Sequence, residues 1–213
     1  MPLSDRARIS ELVVGGGAQN WALIGISFDL DNCAALGDVV LRLDTSQAPG
    51  LHSWVLHGAD VSILSIDGVV TAHEIDQSPR SASPQSDFEL GVIGVDHVVI
   101  NTPDLMRTSD SLTAATGAPL KRVRDAGNNV QQGFHRLGSV VVEIVTAPTM
   151  PQGDASLWGF VLNVKDIHAI ANHVGPDVLS IPKPAVQAGK LIATFRSSLG
   201  LGVPVALMGQ VAN

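Results

Sequence analysis

Between Val95 and Met208 the sequence sets out one order of elements twice: strand, helix, strand, strand, strand. A repeated order of this kind restricts the chain to folds that pair two equal modules. The first pass is clean. Val95–Thr102 is a β-branched run and reads as a strand. Pro103-Asp104 stops it and opens a helix over 104–116, with Leu105, Leu112 and Ala115 on its inner face and Gly117 as the C-cap. Leu120–Asp125, Gln131–Leu137 and Val140–Thr146 read as strands, turned at 125–129 and at Gly138-Ser139. In the second pass Leu157–Val164 is a strand and Lys165–His173 a helix ending near Gly175. Strands follow around Val178–Ile181, Leu191–Arg196 and Val203–Met208, with Pro182 and Pro184 blurring the first hairpin.

The start of the chain carries the same grammar in worn form. Leu36-Gly37-Asp38-Val39-Val40 matches Leu137-Gly138-Ser139-Val140-Val141 without a gap. Trp54-Val55-Leu56-His57 likewise matches Phe160-Val161-Leu162-Asn163. Between the two halves, Asp76–Asp87 is rich in Ser and Pro and has no periodicity. The expected organisation is therefore residues 1–75 as degenerate modules, 76–92 as a linker, and 93–213 as a paired-module domain.

Composition narrows the function. Hydrophobic residues make up 45% and aromatics 4%, so the core is aliphatic. The formal net charge is -7 and no Lys/Arg-rich run exists. That argues against nucleic acid and against an anionic membrane surface, both of which need clustered positive charge. Cys33 is the single cysteine, which excludes an intramolecular disulfide and a cysteine-based zinc site. Met1–Arg6 lacks the apolar core of a signal peptide, and no apolar run is long enough to span a bilayer. The expected location is the cytoplasm.

The segment Val95-Asp96-His97-Val98-Val99-Ile100 with Thr102-Pro103-Asp104-Leu105 resembles the opening strand and helix of a vicinal oxygen chelate module, the glyoxalase/bleomycin-resistance/dioxygenase superfamily. Gln132–Gly138 and Val141–Val145 continue the likeness, and Trp158–Val164 resembles the opening strand of the partner module. The resemblance covers roughly residues 93–210 well and 9–75 weakly. It implies an α+β fold of paired βαβββ modules, with a curved mixed sheet around a cavity. It implies metal ligands on the first and last strands of each module. The implied chemistry is isomerisation, epimerisation, ring cleavage or group transfer, although some members only sequester a ligand. Modules in this family also pair between chains, so a homodimer stays open.

His97 and Glu143 fall at the two implied ligand positions of the first module. Strand alternation puts His97, Val99 and Asn101 on one face, and Val141, Glu143 and Val145 on one face. A glutamate among apolar neighbours needs a partner, and His97 is the expected one. In the second module Gly159 stands where His97 does and Ala206 where Glu143 does. Two of four ligands remain, whereas catalytic zinc sites usually keep three. In the N-terminal repeat, Glu11 and Arg42 take the same two positions and suit an ion pair, unless they are unrelated surface residues.

The expected site is thus a small-molecule cavity with His97 and Glu143 as an acid–base pair and no tightly bound metal. The alternative is a divalent-metal-dependent lyase, isomerase or dioxygenase in which the same two residues are ligands. Asn101, Gln132, Phe134, Arg136, Trp158 and Arg196 are the expected ligand-binding set; the competing reading makes them rim or packing residues. No Gly-x-Ser-x-Gly elbow and no phosphate loop is present, which removes the common hydrolase and nucleotide-binding patterns. If 76–87 is a linker, limited proteolysis should cut there first and leave a fragment of about residues 90–213 that unfolds cooperatively. Loss of that cooperativity, read by circular dichroism, would show that the N-terminal part completes its core.

Overall fold

A computed structural model describes residues 7–74 and 90–211, so residues 76–89 of the expected linker lie outside the described residues, and its last residue, Val92, already opens a strand. The first half forms β1 (Arg8–Gly15), α1 (Ala18–Ala22), β2 (Cys33–Leu36), β3 (Val39–Asp44), β4 (Gly50–His57), β5 (Ser65–Ile66) and β6 (Val69–His73). These strands make one sheet in the order β2-β3-β1-β4-β6-β5. The second half forms β7 (Val92–Asn101), α2 (Leu105–Thr116), β8 (Arg122–Asp125), β9 (Gln131–Leu137) and β10 (Val140–Thr146). It continues with β11 (Ser156–Val164), α3 (Ile167–Val174), β12 (Lys183–Pro184), β13 (Lys190–Thr194) and β14 (Val205–Gln210). Its sheet runs β12-β13-β14-β11-β7-β10-β9-β8. The sheet thus contains two βαβββ modules, β7–β10 and β11–β14.

The second module departs from the sequence reading at its first hairpin. Val178–Ile181 is not a strand; Leu179 makes one isolated bridge to Phe195. The paired segment is the two-residue β12, which contains Pro184. Proline has no N–H to give a ladder, so a strand here stays short and at the sheet edge, where β12 lies.

The described residues gather into two compact units. One holds His97–Gly159 and with it α2, β8, β9 and β10, together with β5 and β6. Helix α2 starts where Asp104 accepts from the Arg107 backbone N–H at 3.0 Å, and ends at Gly117 in the left-handed region. It packs on β9 and β10. Val98, Ile100, Val142 and Ile144 alternate onto one fully buried face of the sheet. Asp67, in the β5–β6 turn, accepts from Arg107 Nε at 2.7 Å and from Thr108 Oγ1, which ties that hairpin to α2.

The other unit holds Val13–Leu51 and the chain from Phe160 onward, and so contains α1, β2, β3, α3, β12, β13 and β14. Trp21 stacks on Phe160 with ring centroids 6.3 Å apart. Ile167 and Ile170 bury the inner face of α3, which packs on β13 and β14. Val161, Ala206 and Met208 form an apolar cluster with Ala185 and Ile192. At its polar end Lys190 Nζ meets Asp96 Oδ1 at 2.9 Å.

Gly37 turns β2 into β3 and Gly138 turns β9 into β10; both pairs are antiparallel. Their φ angles are 72° and 63°, the left-handed region that a tight hairpin demands and that glycine enters most freely. At Gly37 a Cβ would also strike the Ile93 carbonyl oxygen and come within 2.8 Å of Gly94 Cα. Gly127 has φ 87° with nothing within 4 Å and isolates the conformational cost alone. Gly127→Ala should therefore cost about 1 kcal/mol, and Gly37→Ala about 2 kcal/mol more. Urea titrations of the two variants check the difference.

Candidate functional site

One face of the β7–β10–β9–β8 sheet is closed by α2, so any chemistry in this unit belongs to the other face. Register defines that face row by row. Val141 pairs with His97 and with Arg136; Glu143 pairs with Val99 and with Phe134; Val145 pairs with Asn101 and with Gln132. On the edge strand, Arg122 pairs with Phe134 and Arg124 with Gln132. Directly paired residues point the same way, so all of these side chains share the open face. Most of them are half-buried; Arg122 and Arg136 are exposed.

Glu143 is the centre of the face. Its Oε2 lies 3.4 Å from His97 Nε2. Its Oε1 accepts from Gln132 Nε2 at 2.6 Å. The expected His97–Glu143 contact is present, and Gln132 joins it. The carboxylate also fixes the Gln132 amide, because only the NH2 end can face an acceptor. Gln132 Oε1 is then left buried with no hydrogen-bond partner. Beside this group the Arg122 guanidinium stacks over the Phe134 ring at 4.8 Å from its centroid.

The remaining expected residues divide. Asn101, Gln132 and Phe134 are on the open face. Arg136 is there too, but its Nη1 donates to the turn carbonyls of Gly138 and Ser139, at 3.4 and 3.0 Å. Trp158 has the parity of Phe160, opposite to that of Gly159 and Val161, and is 49% exposed. It therefore turns away from the face that the resemblance implies for ligands. Arg196 is not on a strand. β13 ends at Thr194, and Arg196 caps a short 3-10 helix, Ser197–Leu199, with Nε on the Pro176 carbonyl at 3.0 Å. The sequence reading missed Arg122 and Arg124. Their signal was period-two alternation in Arg122-Val123-Arg124, but the face they occupy depends on the register of β8.

The second module lacks the donors. Val161 pairs with Ala206 as Val99 pairs with Glu143, which makes Gly159 the counterpart of His97. Among the described residues no group of three or more His, Cys, Asp or Glu side chains is placed to hold a metal ion. The resemblance implies a divalent ion, yet the strong donors here are one imidazole and one carboxylate, and one oxygen of the latter is engaged by an amide. This set does not fit a tightly held ion.

A second serine–histidine contact is structural. Ser109 Oγ lies 2.9 Å from His135 Nε2, and His135 Nδ1 lies 3.0 Å from the Ala118 carbonyl oxygen. The carbonyl requires a proton on Nδ1, so Nε2 accepts from the hydroxyl. Both residues are 1% exposed, Ser109 on α2 and His135 on the sheet face beneath it, which leaves no approach for a substrate.

The order of elements in β7–β14 is two βαβββ modules in one mixed sheet, as the resemblance implies. No family model matches the chain, and no curated protein does. Among solved structures it is similar to methylmalonyl-CoA epimerase from Mycobacterium tuberculosis, with 14% identity and TM-score 0.47, over 57% of this chain and 91% of that one. A hypothetical protein from Bacillus halodurans is similar at 15% identity and TM-score 0.46, over 56% and 95%. A Streptomyces coelicolor methylmalonyl-CoA epimerase in complex with 2-nitronate-propionyl-CoA is similar at 16% and 0.46, over 57% and 96%.

Burial holds the His135 imidazole below its ordinary value near 6.5, against a smaller upward pull from the Ala118 carbonyl. A depressed folded-state value means that stability is complete above pH about 6.5 and is lost as pH falls through the folded-state value. The parent should lose stability below pH about 6.5 more steeply than His135→Gln, which cannot take up that proton. Equal slopes in pH-dependent thermal unfolding would remove His135 as the cause.

Proposed function

We propose that the chain binds a small molecule on the open face of β7, β10 and β9, with His97 and Glu143 as a proton-transfer pair and no tightly held metal ion. The observation that carries this reading is the Glu143 carboxylate, shared between His97 Nε2 and Gln132 Nε2 on a half-buried face. A carboxylate among valines is costly unless it is hydrogen-bonded. The Val142 and Ile144 face of β10 already supplies the packing, so a third valine at 143 would serve the core at least as well. Glutamate there is explained by chemistry rather than stability.

The roles follow from geometry. Gln132 holds one carboxylate oxygen and so fixes the orientation of the other. That second oxygen faces His97. A ligand lying on Val99, Val141 and Val145 presents its acidic hydrogen to Glu143 Oε2, and His97 beside it can return a proton to the same ligand. The apolar floor excludes water around the exchange. The reading is thus of proton abstraction and return, or of retention of a ligand by the same groups.

Native mass spectrometry with elemental analysis tests it, on protein purified from its own host without chelator. The expected result is a retained small molecule and less than about a tenth of a metal equivalent per chain. Glu143→Gln and His97→Ala should each lower ligand retention by about tenfold or more while the fold persists. Near-stoichiometric Zn, Ni, Mn or Fe in the parent, lost in His97→Ala, would replace this reading with a metal-dependent lyase, isomerase or dioxygenase.

A further inference from the structure

The row beside the His97–Glu143 pair has polar ends that the described protein does not satisfy. Asn101, Val145, Gln132 and Arg124 lie in line across β7, β10, β9 and β8. Gln132 Oε1 is buried without a partner. Arg124, a half-buried residue, and Asn101 make no side-chain hydrogen bond or ion pair among the described residues. Buried acceptors are nearly always satisfied in native proteins, and an exception points to a group that arrives from outside. Here the acceptor calls for a donor, and the cation one strand away, at about 5 Å, calls for an anion.

The local charge agrees. The chain has formal net charge -7, yet Lys121, Arg122, Arg124 and Arg136, four of its 13 basic residues, fall on β8, β9 and the residue leading into them. Positive charge gathered on two neighbouring strands, which carry one acidic residue, Asp125, draws small anions to them.

We infer that the molecule bound at this site is a small oxyanion carrying a hydroxyl group, with its carboxylate or phosphate on Arg124 and its hydroxyl donating to Gln132 Oε1. This rests on the small-molecule reading of the His97–Glu143 face and adds the ligand class to it. Two residues along a strand span about 7 Å, so an anion held in the Arg124 row reaches the Glu143 row with a chain of only a few carbons. The rows then divide the work: one anchors the charge and hydroxyl, the next handles the proton.

Ligand-observed NMR titrations with the full chain test this, using malate, succinate, glycerol 3-phosphate and glycerol as probes. Malate and glycerol 3-phosphate separate a carboxylate from a phosphate ester, and binding of either with the following dependences supports the inference. Arg124→Gln should weaken that probe by about tenfold or more. Lys121→Gln, an exposed basic neighbour, should change it less than about threefold. Succinate, which lacks the hydroxyl, should bind at least about fivefold more weakly than malate, and glycerol should not bind. No binding of either anion at ten-millimolar concentration, about the weakest useful affinity, would overturn the inference. So would equal losses in Arg124→Gln and Lys121→Gln, or equal binding of malate and succinate. Failure of the proton-transfer reading looks different: Arg124-dependent binding would persist while His97→Ala and Glu143→Gln kept the host-derived ligand unchanged. A retained host ligand that proved uncharged by mass, yet was lost in His97→Ala, would overturn the oxyanion alone.

Discussion

A single carboxylate set into a strand of valines organises the sheet from β7 to β8. Glu143 has Val142 and Ile144 as neighbours, both 0% exposed. Its own side chain is 13% exposed, so water alone does not solvate it fully. It needs donors from the protein, and strand pairing decides which residues can supply them. His97 is two rows of backbone away in register but on the same face, and Gln132 lies diagonally across β9. Neither contact survives a one-residue slip of β10, because a slip would send Glu143 under α2 and Val142 to the open face. The His97 contact, the amide contact and the burial of the α2 face are thus one constraint seen three ways.

Much of this was legible in the residues, for identifiable reasons. Period-two alternation put His97 with Asn101, and Gln132 with Phe134, before any pairing was known. Pro103-Asp104 marked the start of α2 by breaking the strand, and Gly117 marked its end as a C-cap. Gly37 and Gly138 marked two hairpins. What failed depended on register or on where a strand stops. Arg196 looked like a strand residue until β13 ended at Thr194 and a 3-10 turn closed by Gly200 took the chain elsewhere. Trp158 was placed at a strand start, but parity faces it away from the ligand side. Arg124 could not be assigned a face, because the turn from β8 to β9 places Asn128 and Asn129 at φ 53° and 59°, and that geometry sets the pairing.

The two modules of the second sheet have come to differ in kind. β7 and β10 place an imidazole and a carboxylate on their open face, while β11 and β14 place Gly159, Val161, Ala206 and Met208 at the corresponding positions. Val161, Ala206 and Met208 pack with Ala185 and Ile192. A glycine and an alanine cannot coordinate, and a methionine sulfur is a weak acceptor. Duplicate modules allow such specialisation. One copy covers its face with its own apolar side chains, and the other keeps a half-buried polar face. The position of Lys190 and Asp96 at the end of the apolar cluster is consistent with a structural task, since each charge is already met by the other.

Arg124 allows the sharpest separation of structural from functional need. β8 is the edge of its sheet, and edges are guarded by charged side chains that discourage pairing with another chain. That need is met by Lys121 and Arg122, which are exposed, and by Arg122 packing on Phe134. Arg124 adds nothing to it. It is half-buried on the inner side of the edge, beside an amide whose oxygen is unsatisfied. Among the described residues its side chain has no hydrogen-bond or ion-pair partner. Edge protection therefore explains the composition of β8 but not the placement of its last arginine. The placement is accounted for when the missing partner is a ligand.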